Sequence, residues 1–485
     1  MARDRYDLIV VGGGTGGIVA ALIAAGAGAR VALVERSRLG GDCLWTGCVP
    51  SKSLLAAAEL THRVRTADRV GLTPTEPRID FATVMAHVDR ARQTIAPQDS
   101  AERLRREGVD VIEASARFEG PGALSVDGRA LAFRKAIVAT GSRPALPAIP
   151  GLADATPLTS ENVWELRTLP ERLVVLGGGP IGCELAQAFV RLGAQVTLVE
   201  MAPRLLLKEE PRASELVASR LRADGVRVHV GTEALSVRNT TAGGGGELLT
   251  SADDPTEAIA FDRILVAVGR SPQTDELNLE QVGVGTDPRG AVIVDRRLRT
   301  TARHVYAVGD VTAALPFTHV AAYHARVAVV NALFAGRRKV NYAAVPWATF
   351  TDPEVGRVGM TEDEARSRWG ERVVTSSFDY ADLDRAVTAG TGYGFAKLVG
   401  DRKGRLVGAT VAAVGGGEAI AELAAWVAVG ARIDRVSQTV HAYPTLAEGS
   451  ARAADDYLRA KLSRPRMQTV TRTVLRILRV LDSAA

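Results

Sequence analysis

Residues Tyr6–Glu35 read YDLIVVGGGTGGIVAALIAAGAGARVALVE, and Arg172–Glu200 repeat the pattern as RLVVLGGGPIGCELAQAFVRLGAQVTLVE. Each stretch predicts an apolar strand, a Gly-x-Gly-x-x-Gly turn, an apolar helix and a second strand that ends in glutamate. The spacing from the first glycine to that glutamate is the same in both copies. Units of this kind build doubly wound α/β folds. The sequence therefore predicts two domains, each built on a parallel sheet.

The two glycine turns carry the first functional signal. Their residues are Gly12, Gly14, Gly17 and Glu35 in the first copy, and Gly177, Gly179, Gly182 and Glu200 in the second. Glycine lets backbone N–H groups at a helix N-terminus approach a pyrophosphate, and the acid accepts hydrogen bonds from a ribose hydroxyl. We therefore expect two dinucleotide sites; the alternative is that the turns serve only tight strand–helix packing. Because Glu200 would repel a 2′-phosphate, NADH is favoured over NADPH, although Arg204 nearby would weaken that preference.

A second pair of similar segments extends the two predicted domains. Lys135–Pro144 (KAIVATGSRP) and Ile264–Pro272 (ILVAVGRSP) both predict a strand that runs into a glycine turn. Beyond Pro346, strand patterns alternate with helical ones, which predicts a separate α+β domain. The expected boundaries are 1–150 and 276–345 for a first domain split in sequence, 151–275 for the second, 346–465 for the C-terminal domain and 466–485 for a tail.

Composition excludes several classes of protein. Of 485 residues, 48 are glycine and three are cysteine, and the formal net charge is +5. Three cysteines cannot build a disulfide scaffold, so a cytoplasmic location is expected. Cys183 follows Gly182 inside a predicted helix and is expected in the core. The basic excess is small and no Lys/Arg block occurs, which argues against a nucleic-acid partner. No signal peptide is visible, because the strand pattern begins at Tyr6.

The strongest local signal is Gly40–Lys52, GGDCLWTGCVPSK. Pro50 favours the first turn of a helix. Cys48 then lies at a helix N-terminus, where the dipole lowers the pKa of a thiol, and Lys52 follows one turn later on the same face. Cys43 and Cys48 are therefore predicted to form a redox pair; two inert buried thiols are the alternative.

With these motifs in order, the sequence resembles the class I pyridine nucleotide–disulfide oxidoreductases, the family of glutathione reductase, dihydrolipoamide dehydrogenase and mercuric reductase. The resemblance covers roughly residues 5–465 and is nearest to mercuric reductase-like members. Besides the glycine turns and the cysteine motif, it rests on Ala139-Thr140-Gly141, Gly269, Val305–Val311 (VYAVGDV), Pro346–Glu362 (PWATFTDPEVGRVGMTE) and Tyr443–Glu448 (YPTLAE). It implies an NAD(P)H-dependent FAD disulfide oxidoreductase with two Rossmann-like domains and an α+β dimerisation domain.

The resemblance also implies an arrangement of cofactors and chains. FAD would bind the first glycine turn and NAD(P)H the second, in a homodimer whose active sites are shared between chains. Further FAD contacts would come from Gly41, Lys52, Ala116, Thr140, Gly141, Asp310, Thr318 and His319, and a further NAD(P)H contact from Gly269. Lys52 would pair with Glu184 beside the flavin. Electrons would pass through the flavin to a Cys43–Cys48 disulfide, with Cys48 towards the flavin and Cys43 towards the acceptor; no resident metal is implied.

One departure from the family lies in His441–Glu448, HAYPTLAE. Family members that reduce disulfides carry a histidine before the proline, backed by a glutamate, as the acid–base group. This sequence has Tyr443 in that place and keeps Glu448. Tyrosine, with a pKa of about 10, is a poor base at neutral pH, so reduction of glutathione or lipoamide is not favoured. His441 is either a substitute base or a structural or interface histidine.

The electron acceptor stays open between a metal ion, a small disulfide and a quinone. Tyrosine in this segment resembles mercuric reductase, yet no N-terminal Cys-x-x-Cys pair is seen and none of residues 184–485 is cysteine. Trp45, between the redox cysteines, is either core filler or a surface for a flat quinone. Two further alternatives are a diaphorase that reduces its acceptor directly from flavin and a slow redox sensor that binds a partner.

The tail beyond Gln468 predicts an amphipathic helix. Its apolar and basic residues recur at helical spacing: Val474, Leu475, Leu478 and Leu481 with Arg472, Arg476 and Arg479. We expect this helix to pack on its own dimer; docking on a membrane surface or another protein is the alternative.

Overall fold

The computed structural model describes residues 5–240, 245–251 and 258–483. The chain divides into two compact units. Unit 1 is formed by Met1–Arg65, Thr75–Leu205 and Leu221–Val340, and unit 2 by Thr66–Pro74, Leu206–Arg220 and Asn341–Ala485. The glycine run Gly243–Glu247, for which the sequence predicts a hairpin tip or flexible loop, falls partly outside the described residues.

The first two thirds of the chain contain both strands and helices. In chain order they are β1 (Arg5–Val11), α1 (Thr15–Gly26), β2 (Val31–Glu35), α2 (Gly41–Trp45), α3 (Cys48–Arg65), α4 (Phe81–Ile95), α5 (Ala101–Arg106), β3 (Val109–Glu113), β4 (Ala116–Gly120), β5 (Ala123–Val126), β6 (Arg129–Val138), β7 (Ser142–Pro144), β8 (Arg172–Leu176), α6 (Pro180–Arg191), β9 (Gln195–Glu200), α7 (Pro211–Ala223), β10 (Arg227–Val230), β11 (Ala234–Asn239), β12 (Gly246–Thr250), β13 (Ile259–Phe261), β14 (Arg263–Val266), β15 (Arg270–Pro272), β16 (Val305–Ala307) and α8 (Thr318–Leu333).

The first sheet of unit 1 has the order β3-β2-β1-β6-β5-β4, with β16 also paired to β6. Strands β3, β2, β1, β6 and β16 run parallel, and β4 and β5 extend β6 in antiparallel fashion. Val305 pairs with Ala136 and Ala307 with Val138, so the chain returns to this sheet after leaving it. The domain boundaries given above stay predictions.

The second parallel sheet of unit 1 has the order β10-β9-β8-β14. A three-stranded antiparallel sheet, β11-β12-β13, and the short pair β7 and β15 complete the unit. The central strands are apolar and buried from Leu8 to Val11 in β1 and from Leu173 to Leu176 in β8, as strands with helices on both faces are. Their carboxyl ends carry the two glycine turns, which is where doubly wound sheets bind ligands.

Unit 2 is built on an antiparallel sheet with the order β17-β18-β21-β20-β19. Its elements are β17 (Pro346–Thr349), β18 (Glu354–Gly359), α9 (Glu362–Trp369), β19 (Val374–Asp379), α10 (Asp384–Thr388), β20 (Phe395–Gly400), β21 (Leu406–Ala413), α11 (Gly416–Ala428), α12 (Ile433–Gln438), α13 (Glu448–Leu462) and α14 (Pro465–Asp482). Val358, Leu398, Val411 and Leu423 join one buried core between the sheet and its helices. The chain is thus a mixed α/β protein, as predicted.

The tail forms the helix that its spacing predicts, α14, which begins at Pro465. Among the described residues, no helix is both long and apolar enough to pass through a bilayer.

Candidate active site

The two glycine turns have the same geometry. Gly12 and Gly177 follow β1 and β8, each with φ of +106°. A Cβ on Gly17 or Gly182 would lie 1.8 Å from the carbonyl oxygen of that first glycine. Only glycine fits these positions, because the left-handed backbone and the close approach both exclude a side chain. Strand, turn and helix are therefore packed tightly in both copies.

An acidic side chain closes each turn. Glu35 accepts hydrogen bonds from the backbone N–H groups of Gly13 at 2.6 Å and Ser37 at 2.7 Å. Glu200 makes the equivalent pair of bonds at 2.5 and 2.6 Å. Since a carboxylate has about four lone-pair sites, each fixed acid can still accept from a ribose hydroxyl.

The helix N-termini at these turns suit an anion. Within the described part of the chain, no side chain caps α1 or α6, and neither helix has an acid in its first turn. First-turn N–H groups and the helix dipole favour a phosphate at such a place. No atom lies within 4 Å of a Cβ built on Gly179, and on Gly14 the nearest is the Cα of Gly41 at 3.8 Å. The residues present therefore fit two dinucleotides.

The predicted redox cysteines lie on two successive helices, Cys43 in α2 and Cys48 at the start of α3. They are free thiols that share a hydrogen bond, with Cys43 half-buried and Cys48 exposed. That bond lowers the pKa of Cys48 to about 6; partial desolvation of its sulfur atom opposes the shift, and Thr318 and Lys52 support it. The same bond, with burial, raises the pKa of Cys43. Cys48 is therefore the thiolate at neutral pH.

Lys52 and Glu184 form the ion pair that the resemblance implies. The Nζ of Lys52 lies 2.9 Å from Oε2 of Glu184, and their side chains are 36% and 6% exposed. Lys52 lies one turn after Cys48 on α3, and Glu184 follows Cys183 on α6. The pair thus joins the redox helix to the helix of the second glycine turn. Cys183 itself is fully buried, as predicted.

Thr318 and Asp310 lie close to the same region. The Thr318 hydroxyl, at the start of α8, is 3.4 Å from the Sγ of Cys48. The hydroxyl of Ser142 donates to Oδ2 of Asp310 at 2.8 Å, and burial raises the pKa of Asp310. α8 therefore points its N-terminus towards the redox pair.

The other predicted cofactor residues lie on loops and element ends of unit 1. Gly41 opens α2, Ala116 opens β4, Thr140 and Gly141 follow β6, Gly269 precedes β15, and His319 is the second residue of α8. The hydroxyl of Thr140 donates to the carbonyl of Gln273 at 2.7 Å. His319 stacks on Phe317 with ring centroids 5.4 Å apart. Their assignment to FAD or NAD(P)H stays a prediction.

Two residues that the sequence did not single out connect these parts. Arg270 donates to Asp42, the neighbour of Cys43, and its Nε lies 3.9 Å from Oδ2 of Asp310. His324 is fully buried, and its Nδ1 accepts from the N–H of Gly309 at 3.2 Å. Arg270 lies in Ile264–Pro272, the segment that resembles Lys135–Pro144, and this similarity was the only sequence feature that could have indicated it. For His324 the sequence showed only an apolar helix pattern.

Contacts to both its side chain and its backbone hold Trp45 in place. Its indole N–H donates to the carbonyl of Leu39 at 2.7 Å, and the guanidinium of Arg38 covers the ring at 4.9 Å from the centroid. Its carbonyl accepts from Arg92 at 2.9 Å. These contacts favour a structural role for Trp45.

His441 lies in unit 2 and uses both ring nitrogens. Nδ1 is 2.8 Å from the carbonyl oxygen of Thr439, and Nε2 is 2.9 Å from a carboxylate oxygen of Glu422. Both ring nitrogens are thus within hydrogen-bond distance of fixed acceptors of unit 2. This geometry favours a structural histidine over a substitute base.

Tyr443 and Glu448 also lie in unit 2. Tyr443 is 67% exposed, and its hydroxyl donates to Oδ2 of Asp384 at 2.8 Å. That hydrogen bond raises the pKa of Tyr443, which makes the phenol a still poorer base. Glu448 is buried and accepts from the backbone N–H of Thr445 at 3.3 Å.

Comparison with protein families gives the two-unit architecture a name. Residues 6–325 match the family described as pyridine nucleotide-disulphide oxidoreductase, and residues 345–454 match the dimerisation domain of the same family. The chain belongs to this family. Its members use FAD and NAD(P)H as cofactors, and the second match indicates a homodimer.

Individual relatives of this oxidoreductase are similar over nearly the whole chain. A mercuric reductase of Streptomyces lividans is 37% identical over 472 residues, which cover 95% of this chain and 98% of the relative. A dihydrolipoyl dehydrogenase of Thermus scotoductus is 37% identical over 459 residues, with 93% and 97% covered. Among solved structures, the HOCl-induced flavoprotein disulfide reductase RclA from Escherichia coli gives a TM-score of 0.83 at 28% identity, covering 93% of this chain and 99% of that one. RclA was also solved as a Cu(II) complex.

Proposed function

We propose that this oxidoreductase uses NAD(P)H to reduce its Cys43–Cys48 pair and passes the electrons to a thiophilic metal ion. The observation that carries the proposal is the polarised thiol pair: a Cys48 with its pKa lowered to about 6 beside a Cys43 with its pKa raised. Such a pair presents one thiolate and one thiol at neutral pH. Soft thiolate ligands bind soft metal ions.

The chain's own residues divide the work between two dinucleotides. The turn at Gly12 with Glu35 would hold FAD, and the turn at Gly177 with Glu200 would hold NAD(P)H. FAD held there would supply the chemistry that links hydride transfer from NAD(P)H to two-electron reduction of a disulfide. Lys52 holds a positive charge beside Cys48, which stabilises the thiolate that remains when the disulfide opens.

Tyr443 is the reason for preferring a metal ion to a disulfide as acceptor. Reduction of a disulfide releases a thiolate that leaves faster when a nearby acid protonates it, and the matching base must first remove a proton. Tyr443 cannot serve as that base, because its hydroxyl is held by Asp384 and its pKa is raised. A metal ion that binds the pair displaces the Cys43 proton to solvent as the metal–sulfur bond forms, so no positioned base is required.

Some of the relatives support a metal ion as the acceptor, whereas the one from Thermus scotoductus is named dihydrolipoyl dehydrogenase. One of them is named mercuric reductase, and RclA was solved as a Cu(II) complex. We extend that chemistry to this chain as a proposal, with mercuric and cupric ions as the substrates to try first. The acceptor reaches the Cys43 side of the pair, and the Tyr443–Glu448 segment of a second chain would complete the site.

NADH is the proposed electron donor. Glu200 is already oriented by two backbone N–H groups, so its carboxylate favours a free ribose 2′-hydroxyl and disfavours a 2′-phosphate.

An anaerobic titration followed by a substrate panel tests the proposal. NADH should reduce the FAD-loaded enzyme by two electrons and produce the long-wavelength absorbance of a thiolate in contact with flavin. Mercuric and cupric ions should then support steady NADH oxidation, which Cys43→Ser should abolish and Cys183→Ser should leave intact. Unchanged metal turnover in Cys43→Ser would instead support the diaphorase alternative, in which flavin reduces the acceptor directly.

A further inference from the structure

Helix α14 contributes no residue to the described core of unit 2. Every residue from Gln468 to Asp482 is exposed. Its large apolar side chains are therefore among the exposed ones, with fractions of 45–67%: Val470, Val474, Leu475, Ile477, Leu478, Val480 and Leu481. This much uncovered apolar surface on an 18-residue helix indicates a binding site for a partner.

The helix separates apolar from basic side chains. At about 100° per residue, Val470, Val474, Ile477, Leu478 and Leu481 fall within one arc of roughly 100°. Arg472 and Arg476 each point about 160° away from Val474, and Arg479 points about 140° away, next to Arg472. One side of α14 is thus aliphatic and the centre of the opposite side is cationic.

The charge on α14 has one sign along almost its whole length. From Arg464 to Leu481 the sequence contains no acidic residue; Asp482 is the first. A partner surface that faces the arginines must therefore bring the negative charge itself. Anionic lipid headgroups do so, and a cationic amphipathic helix of low mean hydropathy is the form that lies in a membrane interface.

A second copy of α14 is a weaker match. The apolar arc is wider than the narrow seam of a two-helix coiled coil, so pairing would leave part of it in water. Eighteen residues also give only about two and a half heptads, fewer than a stable coiled coil needs. In addition, the match to the family's dimerisation domain ends at residue 454, before α14 begins.

We propose that α14 binds the surface of a bilayer that carries anionic lipid. The helix, about 27 Å long, lies parallel to the surface. Its aliphatic side enters the boundary between headgroups and acyl chains, while Arg472, Arg476 and Arg479 reach lipid phosphates. This binding is independent of the redox reaction and would hold the enzyme at a membrane without crossing it.

Sedimentation of the full-length, FAD-loaded protein with vesicles tests the proposal. We expect binding to vesicles of equal parts phosphatidylcholine and phosphatidylglycerol, little binding to phosphatidylcholine alone, and weaker binding as salt is added. Val474→Asn with Leu478→Asn should lower the affinity by at least about tenfold. The matched control, Thr469→Asn with Thr473→Asn, introduces the same side chains on the polar side and should bind nearly as well as the original.

Two further readouts separate the possible occupants. Arg472→Gln with Arg476→Gln should weaken the preference for anionic vesicles, since Arg479 keeps part of the positive charge. Flavin content and NADH oxidation should stay unchanged in every variant, since α14 contains no residue of the redox site. The proposal is wrong if the original protein ignores anionic vesicles, or if the Val474 and Leu478 changes alter the mass of the oligomer in sedimentation velocity and leave vesicle binding as it was. The second result would assign α14 to a contact between copies of the chain.

Discussion

Lys52 and Glu184 tie the redox helix to the second glycine turn: the Nζ of Lys52 lies 2.9 Å from Oε2 of Glu184, a side chain only 6% exposed. The ammonium of Lys52 lowers the pKa of Cys48, and the carboxylate of Glu184 raises it. The ion pair therefore sets two things at once, the packing of α3 on α6 and the net charge that the Cys48 thiol experiences.

Removing the charge of Lys52 should move the titration of Cys48. In the reduced protein, thiolate absorbance should appear as pH rises through about 6 and disappear below it. In Lys52→Met the midpoint should lie at higher pH, because the thiolate loses its nearby cation. Lys52→Arg keeps the charge and should restore a midpoint near the original. An unmoved midpoint in Lys52→Met would mean that the hydrogen bond from Cys43 alone sets the pKa.

Arg270 should be needed for retention of FAD. Its guanidinium donates to Asp42 and to the hydroxyl and the carbonyl oxygen of Ser142, and it lies beside Asp310. Its loss therefore leaves the carboxylates of Asp42 and Asp310 without their shared cation. We expect Arg270→Met to weaken FAD binding by about tenfold or more, measured by equilibrium titration of the apoprotein. Arg270→Lys should recover little of the affinity, since a point charge cannot make the same set of bonds.

The control for this change is Arg143→Met in the neighbouring strand β7. Arg143 also pairs with an acid, Asp275, but both side chains are more than half exposed. Exposed pairs contribute little, so this variant should keep its FAD. Equal loss in both variants would point to damage of the β7–β15 pair rather than to the Arg270 contacts.

Local patterns in the sequence predicted much of the fold. Strand, turn and helix of each nucleotide unit lie within about thirty residues, so periodicity and glycine spacing are enough to place them. Lys52 and Glu184 are 132 positions apart, and their ion pair was predicted only from the resemblance to the family. The bond between Arg270 and Asp42 spans 228 positions and links residues that no local pattern relates. Contacts of this kind depend on how finished elements pack, which is why Arg270 and His324 were missed.

Tyr443 should be dispensable for metal reduction and limiting for disulfide reduction. Tyr443→Phe removes only the bond to Asp384 and should leave NADH-dependent turnover of mercuric ion within about twofold. Tyr443→His supplies a base and should raise kcat/KM for a small disulfide by about tenfold or more. Steady-state assays with both acceptors measure the pair of effects. A large loss of metal turnover in Tyr443→Phe would show that the phenol takes part in the reaction.

Glu200 should control the choice between NADH and NADPH. Replacing it with Ala removes the acceptor for the ribose hydroxyl, so KM for NADH should rise by about tenfold while KM for NADPH should not rise. Glu200→Gln keeps the shape without the charge and should fall between the two. Initial rates with each nucleotide give the ratio, and a ratio that Glu200→Ala leaves unaltered would remove this residue from the nucleotide site.

His324 should make the stability of the protein depend on pH. Burial lowers its pKa to about 4 from an ordinary 6.5, so the folded chain excludes a proton that the unfolded chain binds. The contribution to stability is therefore complete above about pH 6.5 and is lost as pH falls towards 4. At about 1.4 kcal/mol for each pKa unit, this group alone removes roughly 3 kcal/mol over that range.

Thermal unfolding between pH 4 and neutrality checks this expectation through the difference between variants, which cancels the titration of other groups. His324→Asn replaces Nδ1 with an amide oxygen that can accept the same bond from Gly309 and has no proton to gain. Its melting temperature should fall less steeply with acidity than that of the original protein. His87→Asn, on the exposed side of α4, should keep the original slope. Parallel curves for the original and His324→Asn would mean that the buried imidazole takes up its proton without disturbing the fold.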